Sequence, residues 1–521
     1  MELNLNEIIE EDNKLIGTER MRWKCVRCGN VYHTDGNRPV MCECHSKEFE
    51  IIDFQEVVKF ITNNPNYTKK TINSFIKSKM RNEATELLAE ICKTKNTFYT
   101  TRFDEKSEIY CYQNGIYVPN GKTFIKETCR KLIQEIYTEQ LSNLVIAKIE
   151  ADSYIEQNEF LKRHYSEEIA VKNGILKINS SEIQTFTPQK IFLGKINAYY
   201  NPNATCPNID KFLHDVLPAE DDVKTIYELF GYCLIGGYPI QKIALFIGEG
   251  GNGKGQTLEL LRTFLGPGNY CGIPLQKLEE SDFKEYELFN KLSNIGADIS
   301  DEPLKTTAKI KGLSGGDSIN ASVKFKNDLT FVNEAKLIFS ANKLPKTYDL
   351  TKAFWRRWLY LVFPFKFVSN MEFCSLNDEK KGTCKIAEED VVKKIITEAE
   401  LSGLLNKALE GLIRLKTQKQ FTSSKTSEET QKWWIRNSDS FIAFCYEKIQ
   451  ENPKGEITRD ALREQYQRYC SENRLPSEGD KHIHEVLTRQ ILAWEGQIAS
   501  GERLWRGISF IDEELLRGIK A

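Results

Sequence analysis

Residues 241–265 constrain the fold of this chain more than any other stretch of its sequence. A short apolar run, Ile243–Ile247, has the length and β-branched content of a buried strand. A glycine-rich segment follows at residues 248–255, and apolar residues then recur at helical spacing up to Leu265. Strand, glycine loop and helix in that order are the context that a phosphate-binding loop requires. The sequence therefore predicts an α/β domain with a phosphate site at the loop.

The loop has the Walker A spacing, in which Gly248 is followed after four residues by Gly253 and Lys254. Its backbone N–H groups would point at phosphate oxygens, and Lys254 would reach the β- and γ-phosphates. Gly255 stands where a serine or threonine normally helps to hold Mg²⁺, and Thr257 lies about half a helical turn from that position. The alternative is a glycine-rich surface turn. The predicted ATP-binding residues are Gly248, Glu249, Gly250, Gly251, Asn252, Gly253, Lys254, Gly255, Gln256 and Thr257.

Length and composition bound the classes of protein that this chain can belong to. At 521 residues it exceeds what one hydrophobic core supports, so about three domains are expected. The 72 lysines and arginines nearly balance the 74 aspartates and glutamates, so any nucleic-acid surface must be local. The acidic N-terminus is unlike a signal peptide, and no apolar run approaches the ~20 residues of a membrane span. We expect a soluble cytoplasmic protein with no membrane partner.

Two short cysteine pairs near the N-terminus predict a metal site. Cys25 and Cys28 are separated by two residues, and Cys42 and Cys44 by one. Four thiolates at such spacings suit a tetrahedral Zn²⁺ that holds together a knuckle with little core of its own. We predict a zinc ribbon with a structural Zn²⁺; buried thiols that meet by coincidence are the alternative.

A second apolar strand, within residues 291–302, ends in acidic residues. In a Walker B element one carboxylate serves the Mg²⁺ shell and a neighbouring glutamate activates water. Asp301 and Glu302 are the predicted pair, with Asp298 as the alternative. A solvated turn at the end of the strand is the simpler interpretation of the same residues.

Residues 318–330 predict a β-hairpin that carries Lys324, Phe325 and Lys326. Two cations around one aromatic ring could hold phosphates while the ring contacts a sugar or base, so these residues are the predicted DNA contacts. An edge hairpin protected by lysines is the alternative. Further hairpin turns are predicted at residues 114–115 and 120–121, which are both Asn-Gly pairs.

Two later segments complete the candidate site. Residues 336–342 predict a strand ending at Asn342, which would lie beside the γ-phosphate if this strand neighbours Ile243–Ile247. Arg356 and Arg357 stand between large aromatic residues, where one of them could act as an arginine finger toward a neighbouring subunit. Cation–π packing at the edge of a core is the alternative.

These segments carry a family resemblance. In chain order, GEGGNGKG, ADISDE, KGLSGGDSINASVKFKN, KLIFSANKLP and AFWRRWL resemble the motifs of superfamily 3 helicases. More closely, they resemble the helicase part of phage, plasmid and virus primase–helicases, and the resemblance covers about residues 97–445. It implies a homo-hexameric ring that binds ATP and Mg²⁺ and moves on single-stranded DNA. The catalytic residues that it implies are Lys254, Asp301, Glu302, Asn342, Arg356 and Arg357.

The predicted fold is multidomain α/β, with a P-loop AAA+-like motor domain, an N-terminal zinc ribbon and a C-terminal winged helix. Three helical patterns followed by two strands predict the winged helix, with Lys481, His482 and Arg489 on its recognition helix. No primase domain is evident, so a separate primase is a candidate partner. The predicted boundaries are 21–52 (zinc ribbon), 53–95 (helical segment), 96–205 (pre-helicase α+β domain), 206–236 (helical collar), 237–367 (ATPase/helicase domain), 368–436 (post-motor helices and linker) and 437–521 (winged helix).

The sequence predicts an ATP-dependent DNA helicase that acts in the replication of a phage, plasmid or virus-like element. Two alternatives stay open. One is a DNA-binding replication initiator or regulator with a nucleotide switch and no unwinding. The other is a P-loop NTPase, such as a kinase, that does not act on DNA.

Overall fold

The computed structural model describes residues 21–25, 31–34, 49–52, 58, 68–77, 79–101, 107–156, 159–160, 167–280, 284–300, 302–304, 306–321, 329–347, 349, 351–473, 475–489, 491–497, 501 and 503–511. The chain divides into two compact units. The N-terminal unit comprises residues 1–164 and 185–194, and the C-terminal unit comprises residues 165–184 and 195–521. Among the described residues, no helix combines the length and apolar character that crossing a bilayer demands.

The N-terminal unit combines small sheets with paired helices. Strand β1 lies between β2 and β3, and a second sheet has the order β6-β5-β4-β7. Both helices that fall within the predicted helical segment, α1 and α2, bury apolar side chains in one core. The described elements are β1 (Met21–Cys25), β2 (Val31–Thr34), β3 (Phe49–Ile52), α1 (Thr68–Lys77), α2 (Arg81–Lys95), β4 (Phe98–Thr101), β5 (Glu108–Gln113), β6 (Ile116–Val118), α3 (Gly121–Ile133), α4 (Glu139–Asp152) and β7 (Tyr154–Ile155).

One of the two predicted Asn-Gly hairpins is confirmed and the other is wrong. Asn114 and Gly115 have φ angles of 50° and 92°, the left-handed pair that a type I′ turn needs, and they join the antiparallel strands β5 and β6. Gly121 is instead the first residue of α3. A Cβ there would lie 2.4 Å from Cγ2 of Ile109, so this glycine serves close packing of the helix on β5 and not a turn.

The first part of the C-terminal unit contains the predicted motor. The described elements are β8 (Glu168–Val171), β9 (Gly174–Lys177), β10 (Ile183–Gln184), α5 (Pro207–Val216), α6 (Glu220–Tyr232), β11 (Ile243–Ile247), α7 (Lys254–Leu265), β12 (Tyr270–Cys271), α8 (Leu275–Glu280), β13 (Ser293–Asp298), α9 (Ala308–Leu313), β14 (Ser318–Ala321), β15 (Leu329–Val332), β16 (Lys336–Ala341), α10 (Lys352–Trp355) and β17 (Trp358–Val362). Two 3₁₀ turns, Gln134–Ile136 and Glu285–Leu288, lie in the N-terminal and C-terminal units respectively.

A parallel sheet with the strand order β12-β13-β16-β11-β17 organises this part of the chain. Strand β11 has the predicted bounds and is paired on both sides, with β16 and with β17. Because the strands are parallel, the carboxyl ends of β11, β13 and β16 lie at the same edge of the sheet. The prediction that the strand before Asn342 neighbours Ile243–Ile247 is therefore confirmed.

The residues of β11 alternate between two hydrophobic cores, one on each face of the sheet. Ala244 and Phe246 belong to a core shared with α5, α6 and α7, whereas Ile243 and Leu245 belong to a core that contains Trp358. A strand that is buried on both faces has a continuous apolar sequence, which explains why IALFI contains no polar residue.

The last part of the chain adds helices around the motor and a compact terminal domain. The described elements are β18 (Lys366–Val368), α11 (Asn370–Ser375), α12 (Asp378–Lys381), β19 (Cys384–Ile386), α13 (Val391–Ile395), α14 (Glu398–Gln418), α15 (Ser427–Ser438), α16 (Ser440–Lys448), β20 (Ile449–Thr458), α17 (Arg459–Asn473), α18 (Asp480–Arg489), β21 (Trp494–Gln497) and β22 (Arg503–Phe510). In the terminal domain, β20, β22 and β21 form an antiparallel sheet in that order.

Helices α6 and α14 cross at very short range. A Cβ on Gly231 would lie 2.1 Å from the carbonyl oxygen of Ala408, and one on Gly411 would lie 2.6 Å from the backbone carbon of Tyr227. Such approaches are possible only because both positions lack side chains. Glu228, with no exposed surface, accepts hydrogen bonds here from Arg414 Nε at 2.6 Å and from the backbone N–H of Thr422 at 2.8 Å. The residues around Thr422, which fall in the segment predicted as post-motor helices and linker, thus pack onto this helix pair.

Candidate nucleotide-binding site

The glycine loop links β11 to α7 by a backbone path that glycine alone follows without strain. Gly251 and Gly253 have φ angles of 75° and 90°. A Cβ on Gly253 would also lie 2.5 Å from Cγ1 of Val216. The side chain of Asn252 is buried and bridges the loop, accepting from the Lys254 backbone N–H at 3.3 Å and donating to the Phe363 carbonyl at 3.4 Å. The loop is therefore held in a curled conformation by its glycines and by the contact of Asn252 with Phe363.

Lys254 directs its ammonium group into this curl. The residue is 5% exposed. Its Nζ lies 3.0 Å from Oδ1 of Asn342 and 3.2 Å from Oδ1 of Asn252, and it also donates to the carbonyl oxygens of Gly248 and Glu249. Burial lowers the pKa of Lys254, and the Asp298 carboxylate acts in the opposite direction. The predicted phosphate-binding lysine and the predicted γ-phosphate sensor are thus in direct contact.

Asp298 is the carboxylate that the structure places beside these two residues. It is the last residue of β13, it is exposed, and its carboxylate accepts a hydrogen bond from Ser340 Oγ at 2.6 Å. Its other oxygen lies 3.5 Å from Nδ2 of Asn342. The pairing of β13 with β16 shifts between Ile295 and Asp298, and such a bulge re-aims the side chain that follows it. Lys254, Asn342 and Asp298 therefore converge at the ends of three neighbouring strands.

The predicted Walker B pair is placed differently. Glu302 is exposed, and its backbone N–H bonds Ser300 Oγ at 3.2 Å. Asp301 lies outside the described residues. Asp298, weighed as the alternative, has the described contacts with the site, and Ser340, which orients it, was missed because nothing in the local pattern pairs residues 42 positions apart.

The start of α7 has no hydroxyl aimed at the site. Gly255 is exposed, and a Cβ there would have no heavy atom within 4 Å. Thr257 is buried, and its Oγ1 donates to the carbonyl of Gly253 at 3.1 Å, back into the helix. Thr257 thus does not take over the role of the absent Walker hydroxyl. Gln256 is exposed, and Gly250 also has open space around it.

The adjacent arginines 356 and 357 have opposite environments. Arg356 is exposed and donates from its guanidinium to Oε1 of Gln241 at 2.6 Å. Arg357 is 7% exposed and bonds Ser314 Oγ at 3.1 Å and the Lys311 carbonyl at 3.2 Å. Only Arg356 is thus placed to reach a second molecule. The sequence did not distinguish the two and gave no sign of Gln241.

Several predicted site residues fall outside the described parts of the chain. They are the DNA-contact candidates Lys324, Phe325 and Lys326 and the zinc ligands Cys28, Cys42 and Cys44. The flanking strands β14 and β15 do pair antiparallel, from Ser318 with Val332 to Ala321 with Leu329, as the predicted hairpin requires. Cys25 is buried at the end of β1.

A polar cluster missed by the sequence analysis joins the segment after β16 to the terminal domain. Lys346, which follows β16, has its Nζ 3.2 Å from Asp439, 3.0 Å from Glu478 and 3.3 Å from Nε2 of His482. His482 also bonds Asp439 at 2.6 Å. Asp439, Glu478 and His482 have donor atoms close enough to hold a metal ion, but the Lys346 ammonium already supplies the positive charge among them. His482 of the predicted recognition helix is thereby engaged within the chain.

Two family models match parts of this chain. A family model described as "D5 N terminal like" matches residues 54–218, and one described as "Family of unknown function (DUF5906)" matches residues 246–357. Over these two regions the chain is similar to primase–helicases. The second match spans the described site from Gly248 to Arg357. Gln241 and the terminal-domain members of the polar cluster lie outside both matches.

The individual relatives of this chain are distant. Over 261 residues the chain is 26% identical to "Putative helicase L207/L206" of Acanthamoeba polyphaga mimivirus, which corresponds to 46% of this chain. The match spans 26% of the length of that relative.

Among solved structures, the apo NrS-1 C-terminal region aligns with a TM-score of 0.42 at 12% identity, over 81% of this chain and 98% of that one. JCV helicase aligns with a TM-score of 0.23 at 17% identity, over 44% of this chain and 58% of that one. Both TM-scores are low.

Proposed function

We propose that this protein is an ATP-hydrolysing DNA helicase of the superfamily 3 type that acts in replication of a phage, plasmid or virus-like element. The observation that carries the proposal is the convergence of Lys254, Asn342 and Asp298 beneath a fixed glycine loop. An ammonium, an amide and a carboxylate at the ends of parallel strands are the groups that a nucleoside triphosphate needs from a P-loop protein. The two family-model matches and the name of the viral relative support DNA unwinding as the use of that site.

The proposed roles follow from the contacts. The Lys254 ammonium is held by neutral oxygens, which a charged phosphate oxygen would replace with a stronger acceptor. Asn342, in contact with Lys254, would sense the γ-phosphate. Glu302 stays the predicted group that activates the attacking water, because it is exposed on the segment after β13.

The residues present fit a bound Mg²⁺. Asp298 offers an exposed carboxylate that is already oriented by Ser340, and a single protein carboxylate with phosphate oxygens and waters is an ordinary Mg²⁺ shell. When bound, the ion would neutralise charge shared by the β- and γ-phosphates. Gly255 contributes no ligand, so Asp298 carries more of the binding than in a P-loop with a hydroxyl.

Removing the Lys254 ammonium is the direct test. Lys254→Ala should lower ATP turnover by at least ~10²-fold, since preorganised charge at the transferred phosphate is worth that much or more. Glu259→Ala, at an exposed position of the same helix, is the matched control and should turn over ATP normally. Normal turnover in Lys254→Ala would overturn the nucleotide site.

The ring assembly can be tested by mixing defective subunits. Lys254→Ala and Arg356→Ala should each be inactive alone, but a mixture should regain part of the activity. An interface then forms that combines Lys254 of one subunit with Arg356 of its neighbour, because the proposed finger acts in trans. A mixture as inactive as its components would contradict hydrolysis between subunits. Mass photometry with a slowly hydrolysed ATP analogue should show hexamers.

The effect of DNA on ATP turnover distinguishes the proposed helicase from the two alternative functions. Single-stranded DNA should raise ATP turnover, and the protein should displace a paired strand only when ATP is present. A regulator with a nucleotide switch predicts binding without sustained turnover, and an NTPase that does not act on DNA predicts turnover indifferent to DNA.

Two flanking modules belong to the same proposal. The order α16, β20, α17, α18, β21, β22 with its antiparallel sheet supports a winged helix, in which exposed Lys481 is the available cation of α18 beside the ion-paired Arg489. Lys481→Ala should weaken duplex binding if the module contacts DNA.

The paired cysteines of the sequence support a structural Zn²⁺, which elemental analysis of the purified protein and of Cys28→Ser would test.

A further inference from the structure

Arg357 directs its guanidinium away from the site and into the body of its own subunit. All three guanidinium nitrogens donate hydrogen bonds, to Ser314 Oγ, to the Lys311 carbonyl and to the Ala353 carbonyl. A planar guanidinium whose three nitrogens all donate hydrogen bonds holds the segments that carry its acceptors in a fixed arrangement. Arg357 and these acceptors are called the arginine clamp below.

The arginine clamp joins the end of one short helix to the helix that presents Arg356. Lys311 lies in the last turn of α9, and Ser314 caps its C-terminus. Ala353 lies in α10, and Arg356 follows directly as the C-cap of that helix. The clamp is tight, because a Cβ on Gly315 would lie 3.4 Å from the Arg357 guanidinium and 2.7 Å from the Lys311 carbonyl oxygen.

A second connection runs parallel to the clamp. Lys311 Nζ bonds the Asp349 carboxylate at 2.9 Å, and Thr307 Oγ1 bonds the same oxygen. Asp349 also accepts the backbone N–H of Thr351 at 2.8 Å, at the start of α10. Both ends of α9 are therefore tied to the segment that leads to Arg356.

A third contact includes the exposed arginine itself. Gln241 accepts from Arg356 at 2.6 Å and donates from Nε2 to the carbonyl of Gly315 at 3.3 Å. Gln241 has a positive φ of 47° and stands two residues before β11, whose other end carries the glycine loop. The turn at Gly315 thus contacts both arginines, one directly and one through Gln241.

The clamped turn leads straight into the hairpin strands. Ser314 and Gly315 are followed by β14, which begins at Ser318 and pairs with β15. Because buried polar contacts are costly to leave unmade, the buried Arg357 should make α9 and α10 move together. Arg356 caps α10, and β14 follows α9, so both should share that movement.

We propose that Arg357 is a positioning residue that couples the finger Arg356 to the hairpin β14–β15. Through the arginine clamp, engagement of Arg356 with a phosphate of the neighbouring subunit displaces the hairpin of its own subunit. This inference rests on the proposed function, since it requires a nucleotide at the neighbour's site. In this proposal Arg356 contacts the nucleotide of the neighbouring subunit, and Arg357 transmits the resulting movement to the hairpin.

Hydrogen exchange tests the coupling without relying on unwinding. In the wild type, a slowly hydrolysed ATP analogue should change the exchange of the Ser318–Ala321 amides. Arg357→Lys keeps the positive charge but lacks the planar guanidinium that makes the three hydrogen bonds. The analogue should therefore still bind, while the change in hydrogen exchange of the β14 amides falls at least several-fold. Arg356→Ala should abolish the same change. An unaltered response at β14 in folded Arg357→Lys would overturn the inference.

Milder variants keep the test decisive if Arg357→Lys does not fold. Ser314→Ala removes one acceptor of the clamp, and Asp349→Asn weakens the parallel connection. Each should raise the number of ATP molecules consumed per base pair unwound, and the double variant should exceed either one. Ratios equal to that of the wild type in both variants would also overturn the inference. If the wild type does not bind the analogue at all, the proposed function itself fails, which is a different result from binding without a response at β14.

Discussion

The loop edge of the sheet and the crossing of α6 with α14 use polar residues in opposite ways. At the loop edge, Asp298 and Asn342 are exposed, and Lys254 is held only by neutral oxygens. At the helix crossing, Glu228 is fully buried and its carboxylate is satisfied by Arg414 and Thr422. The first region presents groups for a ligand, whereas the second contributes to the stability of the fold. Substitutions in the two regions should therefore affect different measurements.

The largest effect is expected at the helix crossing. Glu228→Ala removes the charged acceptor of both the half-exposed Arg414 guanidinium and the Thr422 backbone N–H. Hydrogen bonds to charged groups contribute about 1.5–3 kcal/mol each, so the loss should cost about 3–5 kcal/mol of unfolding free energy. Binding of an ATP analogue should be unchanged at temperatures where the variant is folded. Denaturant unfolding measures this, with Glu410→Ala on the exposed face of α14 as the control. A stability equal to that of the wild type would remove the contrast between the two regions.

The loop edge should give the reverse result. Asp298→Asn preserves shape and the contact with Ser340 but removes the charge proposed for Mg²⁺. Turnover should fall about 10²- to 10³-fold, the range found when one preorganised electrostatic group is lost, with an unchanged unfolding midpoint. Glu280→Gln at the end of α8 is the control for a neutralised surface carboxylate. If turnover falls only with stability, Asp298 is structural.

Glycine-to-alanine substitutions allow the stability of the two regions to be compared directly, because each region contains a glycine that can be replaced. Gly231→Ala places a Cβ 2.1 Å from the Ala408 carbonyl oxygen and should cost about 1–3 kcal/mol of unfolding free energy. Gly255→Ala meets open space in a helix and should stabilise by up to about 1 kcal/mol. Thermal unfolding of the two variants side by side measures the difference. Equal shifts would mean that the helices separate to accept the methyl group.

The smallest effect should come from restoring the missing hydroxyl. Gly255→Ser has room for the side chain, and its hydroxyl would join Asp298 around Mg²⁺. The Mg²⁺ concentration for half-maximal binding of a fluorescent ATP analogue should fall several-fold relative to Gly255→Ala, which isolates the hydroxyl from the added Cβ. An identical Mg²⁺ dependence in the two variants would place the ion away from residue 255.

Local sequence patterns predicted the loop edge well. The run IALFI became β11 with the predicted bounds, and Asn342 reached Lys254 as expected. Both follow from short-range rules, since an apolar run fixes a buried strand and parallel neighbours bring their ends together. The contact of Asp298 with Asn342 could not follow from the same rules, because it depends on a bulge near the end of β13.

Contacts between distant residues were not predictable from one sequence. Gln241 lies 115 positions from Arg356, and Lys346 lies 136 positions from His482. Strand β20 was also missed, since Pro453 and Gly455 within it are typical of a loop. Its register with β22 shifts between Glu451 and Glu456, and a bulge of this kind accommodates both residues.

The polar cluster has a practical consequence for anyone wishing to isolate the part of the chain that contains the parallel sheet. A fragment ending before Asp439 would leave the Lys346 ammonium facing water, without the acidic partners that raise its pKa against the effect of burial. If the cut fell before Trp434, the indole that packs 4.9 Å from Trp358 and donates to the Pro345 carbonyl would be lost as well. Expression plasmids for this part of the chain should therefore extend through residue 511.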